Sequence, residues 1–379
     1  MFLGPQNVWK GVKRPRIKLV IFGGGFLLQL CFLKIISSYP SKVEALYSSL
    51  FYPYLFSFQS TFFNFFSFSL GDLFYAVAFI LLMIYLIRSI IFKRLFSKTI
   101  LIDLLIALNL IYFFFYLSWG LNYYRIPLYK KLNYDLNYSE SELENTLIHY
   151  VEVTNILLEK LTQSNDLPVE TPYNKPELLS LIKKEYKVPY ADFQALRPLG
   201  KNSLWSLTIS YAGYAGYLNP FTLESQINRL LPKLSFVTTA AHEMAHQFGI
   251  AAEDEANYIA FYSLVDHSDE YLRFAAHAFA LRYLYYEYSK TNTNESAKRI
   301  RDQINPGLLK NFKVLSEFWN QYRNPFEPYL KKVYNRFLIA NNQKKGLKSY
   351  NAMVGYLVAY HRENHTIENI EQEKNLILD

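Results

Sequence analysis

The sequence predicts a mainly α protein: a membrane region of three transmembrane helices in residues 1–119, then a mostly helical domain in 120–379 with a small β element. Three observations carry this expectation. Mean hydropathy is close to zero although 51% of the residues are hydrophobic, because the apolar residues gather in long runs near the N-terminus. The formal charge of +8 is equally uneven, with 11 Lys and Arg against 3 Asp and Glu in residues 1–119 and 29 of each in the remainder. From Gly120 onward, apolar residues recur at helical spacing. The neutral second part offers no basic stripe for phosphates, which argues against a nucleic-acid partner. A single cysteine, Cys31, excludes a disulfide framework and any Cys-rich zinc site, so a metal centre here must use His and carboxylates.

The first span, Leu19–Ile36, follows Lys10, Lys13, Arg14, Arg16 and Lys18. It is long enough to cross a hydrocarbon core of about 30 Å. The basic start also suits a signal peptide, but no small-x-small cleavage site follows in Ser37–Lys42, so the segment reads as an uncleaved anchor. Leu73–Ile91, closed by Arg88, Lys93 and Arg94, is the second span, and Ile100–Trp119 is the third, with Asp103 and Asn109 as its strongly polar members. Asp72 and Asp103 lie near span ends, where snorkelling to the interface is the expectation.

Positive charge orients the spans. The N-terminal cluster and the connector from Arg88 to Lys98 are short and basic, whereas residues 37–71 hold one Lys and no Arg. The N-terminus and the second connector are therefore expected in the cytoplasm, and the domain from Gly120 onward outside it. The first connector is rich in Phe and Tyr and suits the outer interface, or else a re-entrant hairpin.

In the domain, Ser139-Glu140-Ser141-Glu142 opens an amphipathic helix that runs to Gln163, and Lys175–Tyr190 reads as another. Ser206–Tyr211 alternates, and Gly213, Gly216 and Pro220 follow, so one or two strands are expected at 205–222. Helices resume near Ser235, including Asp269–Lys290 and Pro325–Asn341.

His242-Glu243-Met244-Ala245-His246 forms H-E-x-x-H inside an apolar helical run. Histidines at i and i+4 lie on one helix face, so both imidazoles can reach one Zn²⁺ at about 2.0–2.1 Å. Glu243 is placed beside a metal-activated water as its general base. Gly249 ends this helix as a C′ residue, and Glu253-Asp254-Glu255-Ala256-Asn257 starts the next. An acidic helix start also satisfies the helix dipole. Seven residues after H-E-x-x-H, however, Glu253 is the expected third ligand, with Asn257 one turn later to orient a ligating His and Glu255 rotated away by about 200°.

These residues resemble the gluzincin zinc peptidases, whose third ligand is the first Glu of an E-x-x-A-[D/N] helix, and are similar in layout to membrane-bound CAAX-type and stress-response proteases. Nearly end to end, the chain resembles an uncharacterised family of three-span bacterial membrane proteins of Bacteroidota type. The stretches that carry this are Phe68–Asp72, Trp119–Leu128, Asn219–Glu224, Thr238–Gln247 and Ser349-Tyr350. The resemblance implies a zincin-like extracytoplasmic metallopeptidase domain on a bacterial inner-membrane anchor. Its partners are the lipid bilayer and a peptide or protein substrate.

For an oxyanion donor the sequence offers Tyr334, Tyr350, His361, His267 and His277. Tyr211–Phe221 provides either an edge strand for an extended peptide or a purely structural strand. The expected function is hydrolysis of peptide bonds outside the cytoplasm by Glu243 with Zn²⁺ on His242, His246 and Glu253. The competing expectation is a catalytically silent zincin-fold scaffold of the cell envelope. A transporter is disfavoured because three spans with so few polar residues offer no midplane site.

Overall fold

The computed structural model describes residues 15–92, 97–189 and 198–364. The basic residues Lys10, Lys13, Arg14, Lys93 and Arg94, on which the orientation rests, lie outside the described residues, as does Tyr190. Helix α1 (Pro15–Ile36) turns at Ser37–Tyr39 into a second helical stretch, built of α2 (Pro40–Lys42), a π-helical segment (Val43–Phe51) and α3 (Tyr52–Phe63). Then come α4 (Leu70–Ile91) and α5 (Lys98–Ser118). Among the described residues, α4 and α5 are each long and apolar enough to cross a membrane; α1 joined to the Pro40–Phe63 stretch, bent by 100°, makes a third candidate. The three expected spans are thus two to three, and the chain is a membrane protein.

In lipid, side-chain polar groups find partners within the bundle. Asn109 of α5 donates to the Phe22 carbonyl of α1 at 2.8 Å and accepts from Gln29 at 2.8 Å. Asp103 accepts from the Tyr85 hydroxyl at 2.8 Å, joining α5 to α4. Asp72 does not snorkel. It is fully buried, accepting from the Leu204 amide at 2.6 Å, the Ser203 hydroxyl at 3.1 Å and the Tyr217 hydroxyl. The reason is that α4 starts inside the domain: its first amides, Leu70 and Gly71, donate to the Glu224 carboxylate, which is held by the buried Lys201 ammonium at 2.7 Å. Two of the stretches singled out in the sequence, Phe68–Asp72 and Asn219–Glu224, therefore meet where span and domain join.

The domain continues through α6 (Leu128–Leu132), α7 (Glu140–Thr162) and α8 (Lys175–Glu185). Next come β1 (Gly200–Asn202), α9 (Ser206–Tyr211), β2 (Gly216–Leu218) and β3 (Ser225–Ile227). The rest is helical: α10 (Lys233–Gln247), α11 (Glu253–Leu264), α12 (Glu270–Thr291), α13 (Asn294–Arg301), α14 (Pro306–Gln321), α15 (Glu327–Ala340) and, after a 3-10 stretch at Gly346–Ala352, α16 (Met353–Asn364). Helix α7 starts where the acidic opening foretold, with Ser139 and Glu142 forming a reciprocal capping box. Helix α11 is buried almost all round, between α10, α12 and α16, so it is the centre of the core rather than a surface helix. Each of its fully buried large side chains, Tyr258 and Phe261 among them, contributes about 1.5–3 kcal/mol of burial free energy.

Ser206–Tyr211 is a helix, not the expected strand. Six residues of alternation fit either period, and here the buried members are Ser206 and Ser210, one turn apart, while Leu207 and Tyr211 are exposed. The three strands lie around it as one sheet in the order β1-β3-β2, with β1 parallel and β2 antiparallel to β3. Strand β2 is an edge strand packed on α10.

Candidate metal centre

Helix α10 carries both histidines on one face and ends at Gly249, whose φ of +71° is the left-handed conformation that glycine adopts without strain. The Ile250 amide bonds the Ala245 carbonyl and the Gly249 amide bonds the His246 carbonyl, the pairing of a Schellman ending. This reversal sends the chain straight back into α11, whose first residue is Glu253. The next carbonyls of the turn are met from the membrane side of the molecule. Trp119 Nε1 donates to His246 at 2.9 Å, Tyr52 Oη to Gln247 at 2.8 Å, and Arg125 to Phe248 and Gly249 at 3.2 and 3.0 Å.

His246 Nδ1 lies 2.6 Å from the Ile250 carbonyl. A carbonyl only accepts, so Nδ1 carries the hydrogen and Nε2 presents a lone pair. Asn257 donates its amide N–H to the Tyr350 carbonyl at 3.1 Å and to Tyr283 Oη at 3.2 Å, which turns its oxygen to His242 Nδ1 at 2.8 Å. His242 is thereby fixed in the same tautomer. The two Nε2 atoms sit 3.1 Å apart, and Glu253 Oε2 is 3.2 Å from one and 3.5 Å from the other. A tetrahedral ion bonded at about 2.0–2.1 Å to each would separate its donors by roughly 3.3 Å.

Three buried acceptors converging without a hydrogen among them call for a proton or a cation. Zn²⁺ fits this donor set: borderline nitrogen ligands, one carboxylate, and room for a fourth position on the cavity side. His242, His246 and Glu253 are also the one such cluster among the described residues. Burial opposes charge on His246, but the Glu253 carboxylate outweighs it and pushes the imidazole up to about 9. Burial likewise works to raise Glu253, yet the two imidazoles hold it far below the usual carboxylate range. Glu253 Oε1 accepts from Tyr334 Oη at 2.9 Å, which leaves Oε2 for the cluster.

Asn257 is expected to matter through His242 rather than by touching the ion. Asn257→Ala should weaken metal affinity by about 10–100-fold while the fold persists, read by chelator competition. An unchanged affinity would remove its orienting role.

Glu243 is buried, its Oε2 has no hydrogen-bond partner, and loss of solvent raises its pKa above the ordinary value. It faces β2 at Gly216, where an added Cβ would stand 2.7 Å from the Glu243 Cγ and 2.8 Å from the Gln226 carbonyl. Only glycine lets the strand pass this close. A cavity of about 590 Å³ opens over Glu243 and the three ligands, bounded on one side by residues 213–218.

Of the expected oxyanion donors, Tyr334 and Tyr350 line this cavity. Burial first, and the Glu253 charge second, raise both phenols well above their usual value, so they stay protonated donors. His267, His277 and His361 do not line it. His267 bonds the Leu181 carbonyl, His277 packs against Tyr150, and His361 packs against His149. Sequence reasoning missed Tyr123, Tyr283, Arg282 and Lys331, all on the cavity wall. For Tyr123 there was a signal, its place inside Trp119–Leu128. Glu255 points away from the cluster and accepts from the Leu128 amide at 2.7 Å.

One family's sequence model matches residues 47–358, under the description "Protein of unknown function (DUF3810)". The matched stretch takes in α4, α5 and His242, His246 and Glu253. No curated protein and no solved structure matches the chain.

Proposed function

The chain belongs to that family, DUF3810, and since its description carries no activity we propose from the centre itself that this protein is a membrane-anchored zinc metallopeptidase. The observation that carries the reading is the convergence of His242 Nε2, His246 Nε2 and Glu253 Oε2, acceptors only, beside the partnerless Glu243 Oε2. When bound, Zn²⁺ supplies Lewis acidity, polarising a carbonyl and acidifying water. Glu243 takes a proton from the attacking water and delivers it to the amide nitrogen as the C–N bond breaks, a shuttle that its raised pKa favours. Tyr350 offers a phenolic hydrogen to the oxygen on which negative charge develops, while Tyr334 spends its own on Glu253 and holds that ligand in place.

Strand β2 supports a polypeptide substrate. Asn228 N bonds Ala215 O and Asn219 N bonds Glu224 O, so the residues of β2 that face β3 through hydrogen bonds are the odd-numbered ones. The amides and carbonyls of Gly216 and Leu218 are thus turned to the free edge, where an extended chain can pair beside Glu243. The charge asymmetry of the spans supports an extracytoplasmic domain. The intact Glu243 carboxylate argues against a silent scaffold, which has no use for a buried acid without a partner.

Metal analysis of the detergent-purified protein, paired with a comparison of protein N-termini in cells with and without it, tests this reading. Stoichiometric zinc and new termini that depend on the protein are expected. Absence of bound zinc or a similar divalent ion would sink the proposal.

A further inference from the structure

Helix α9 is amphipathic the wrong way round for a water-facing helix. Its serines, Ser206 and Ser210, are buried, bonded to the Ser203 carbonyl and to Asn228, while Leu204, Leu207 and Tyr211 form an exposed stripe, Leu207 being 57% exposed. Helix α15 repeats the pattern on a larger scale. Phe326, Tyr329, Leu330, Val333 and Phe337 recur at i, i+3, i+4, i+7 and i+11, all exposed, with Val333 at 64% and Tyr329 at 71%. These positions fall within about 100° of one another around the helix. The exposed Lys332 and Arg336 border the stripe on one side, and Tyr334, on the other, reaches into the metal centre.

Both helices run on from the ends of the spans. Trp205 Nε1 bonds the Asp72 carbonyl at 3.2 Å and the Leu204 amide bonds its carboxylate, so α9 starts on the first turn of α4. The Phe337 ring lies 6.1 Å from Phe115 in the last turns of α5, and Tyr116 of α5 bonds Asn341 at 2.7 Å. Asn324 closes the circuit, donating to the Tyr211 carbonyl at the end of α9 and accepting from the amides that open α15. An apolar rim therefore joins the domain-side ends of α4 and α5 along one side of the cavity, whose wall includes Phe115, Trp119 and Phe337.

We propose that α9 and α15 lie in the headgroup region of the bilayer that α4 and α5 cross, apolar stripes toward the acyl chains, so that the cavity over the metal cluster opens at the lipid surface. The partner is the bilayer because the rim is continuous with the spans, and because a cationic border beside an apolar stripe is what an anionic interface selects. A water-exposed stripe of this size on a soluble face would instead be an aggregation liability.

The test needs no turnover, so it can be read whether or not the peptidase proposal holds. Full-length protein carrying Cys31→Ser is reconstituted in phosphatidylcholine–phosphatidylglycerol nanodiscs with one nitroxide at Leu207→Cys, Val333→Cys or, as a water-exposed reference on α13, Lys298→Cys. Collision with oxygen should exceed collision with a water-soluble nickel chelate at 207 and 333, and the order should reverse at 298. Lys332→Glu with Arg336→Glu should move the 333 label toward the aqueous value. Labels at 207 and 333 that behave as the one at 298 would overturn the proposal, as would labels shielded from both reagents, which would mean a protein partner covers the rim.

Discussion

Glu243→Gln is expected to hold its metal and lose hydrolysis, with turnover down by about 10²–10⁴-fold, the usual worth of a positioned general base. The substitution keeps volume and polarity on a helix whose two histidines are fixed from elsewhere, by Ile250 and Asn257. What it removes is the ability to take a proton in the buried position beside Gly216. Metal content measured beside cleavage of a substrate found from the N-terminal comparison separates binding from chemistry. Full turnover by the variant would rule out Glu243 as base.

The second large effect divides two neighbouring carboxylates. Glu253→Ala should empty the centre, a loss beyond the roughly 10–100-fold expected for Asn257→Ala, because it removes the only anionic donor of the cluster. Glu255→Ala should leave the metal in place and destabilise the fold instead. Its carboxylate, which burial and the neighbouring Asp254 push up to about 8, accepts from the Leu128 amide and Tyr356. A buried amide without its acceptor costs about 1–3 kcal/mol. Chelator titration and thermal melts read the two variants. The assignment falls if Glu255→Ala is the one that loses metal.

The His242–His246–Glu253 cluster was legible in the sequence because it depends on short-range geometry. The i, i+4 spacing fixes two imidazoles on one face, Gly249 marks the reversal, and Glu253 follows at once. The Glu253–Asn257 face came from the same helical arithmetic, and the structure places Asn257 on His242. Residues brought from a distance were not legible. With 33 tyrosines in the chain, nothing local distinguishes Tyr283 from the tyrosines of the core, and Tyr123 is marked only by its place inside Trp119–Leu128. Asp72 was misjudged because its partners lie 131 to 145 residues away, at Ser203, Leu204 and Tyr217. At Ser206–Tyr211 the pattern was seen but its sense was inverted, since the exposed face of α9 is the apolar one.

The partners of the α10 carbonyls carry a consequence for how this protein can be taken apart. Tyr52 and Trp119, both upstream of Gly120, satisfy the last turn of the helix that bears the histidines, and Trp119 packs on His246 at 6.0 Å between ring centroids. A form beginning at Gly120 would leave the buried Gln247 carbonyl bare, at about 1–3 kcal/mol, leave the His246 carbonyl with only its bond from the turn, and open a void where the indole sat. Against a net stability of about 5–15 kcal/mol for an ordinary domain, that is a large fraction. Such a trimmed protein is expected to melt early and bind zinc weakly, as calorimetry with and without the ion would show. The membrane segment is then not a leash to be cut but a keystone: cleavage after Trp119 would undo the helix that bears the histidines rather than release an intact domain.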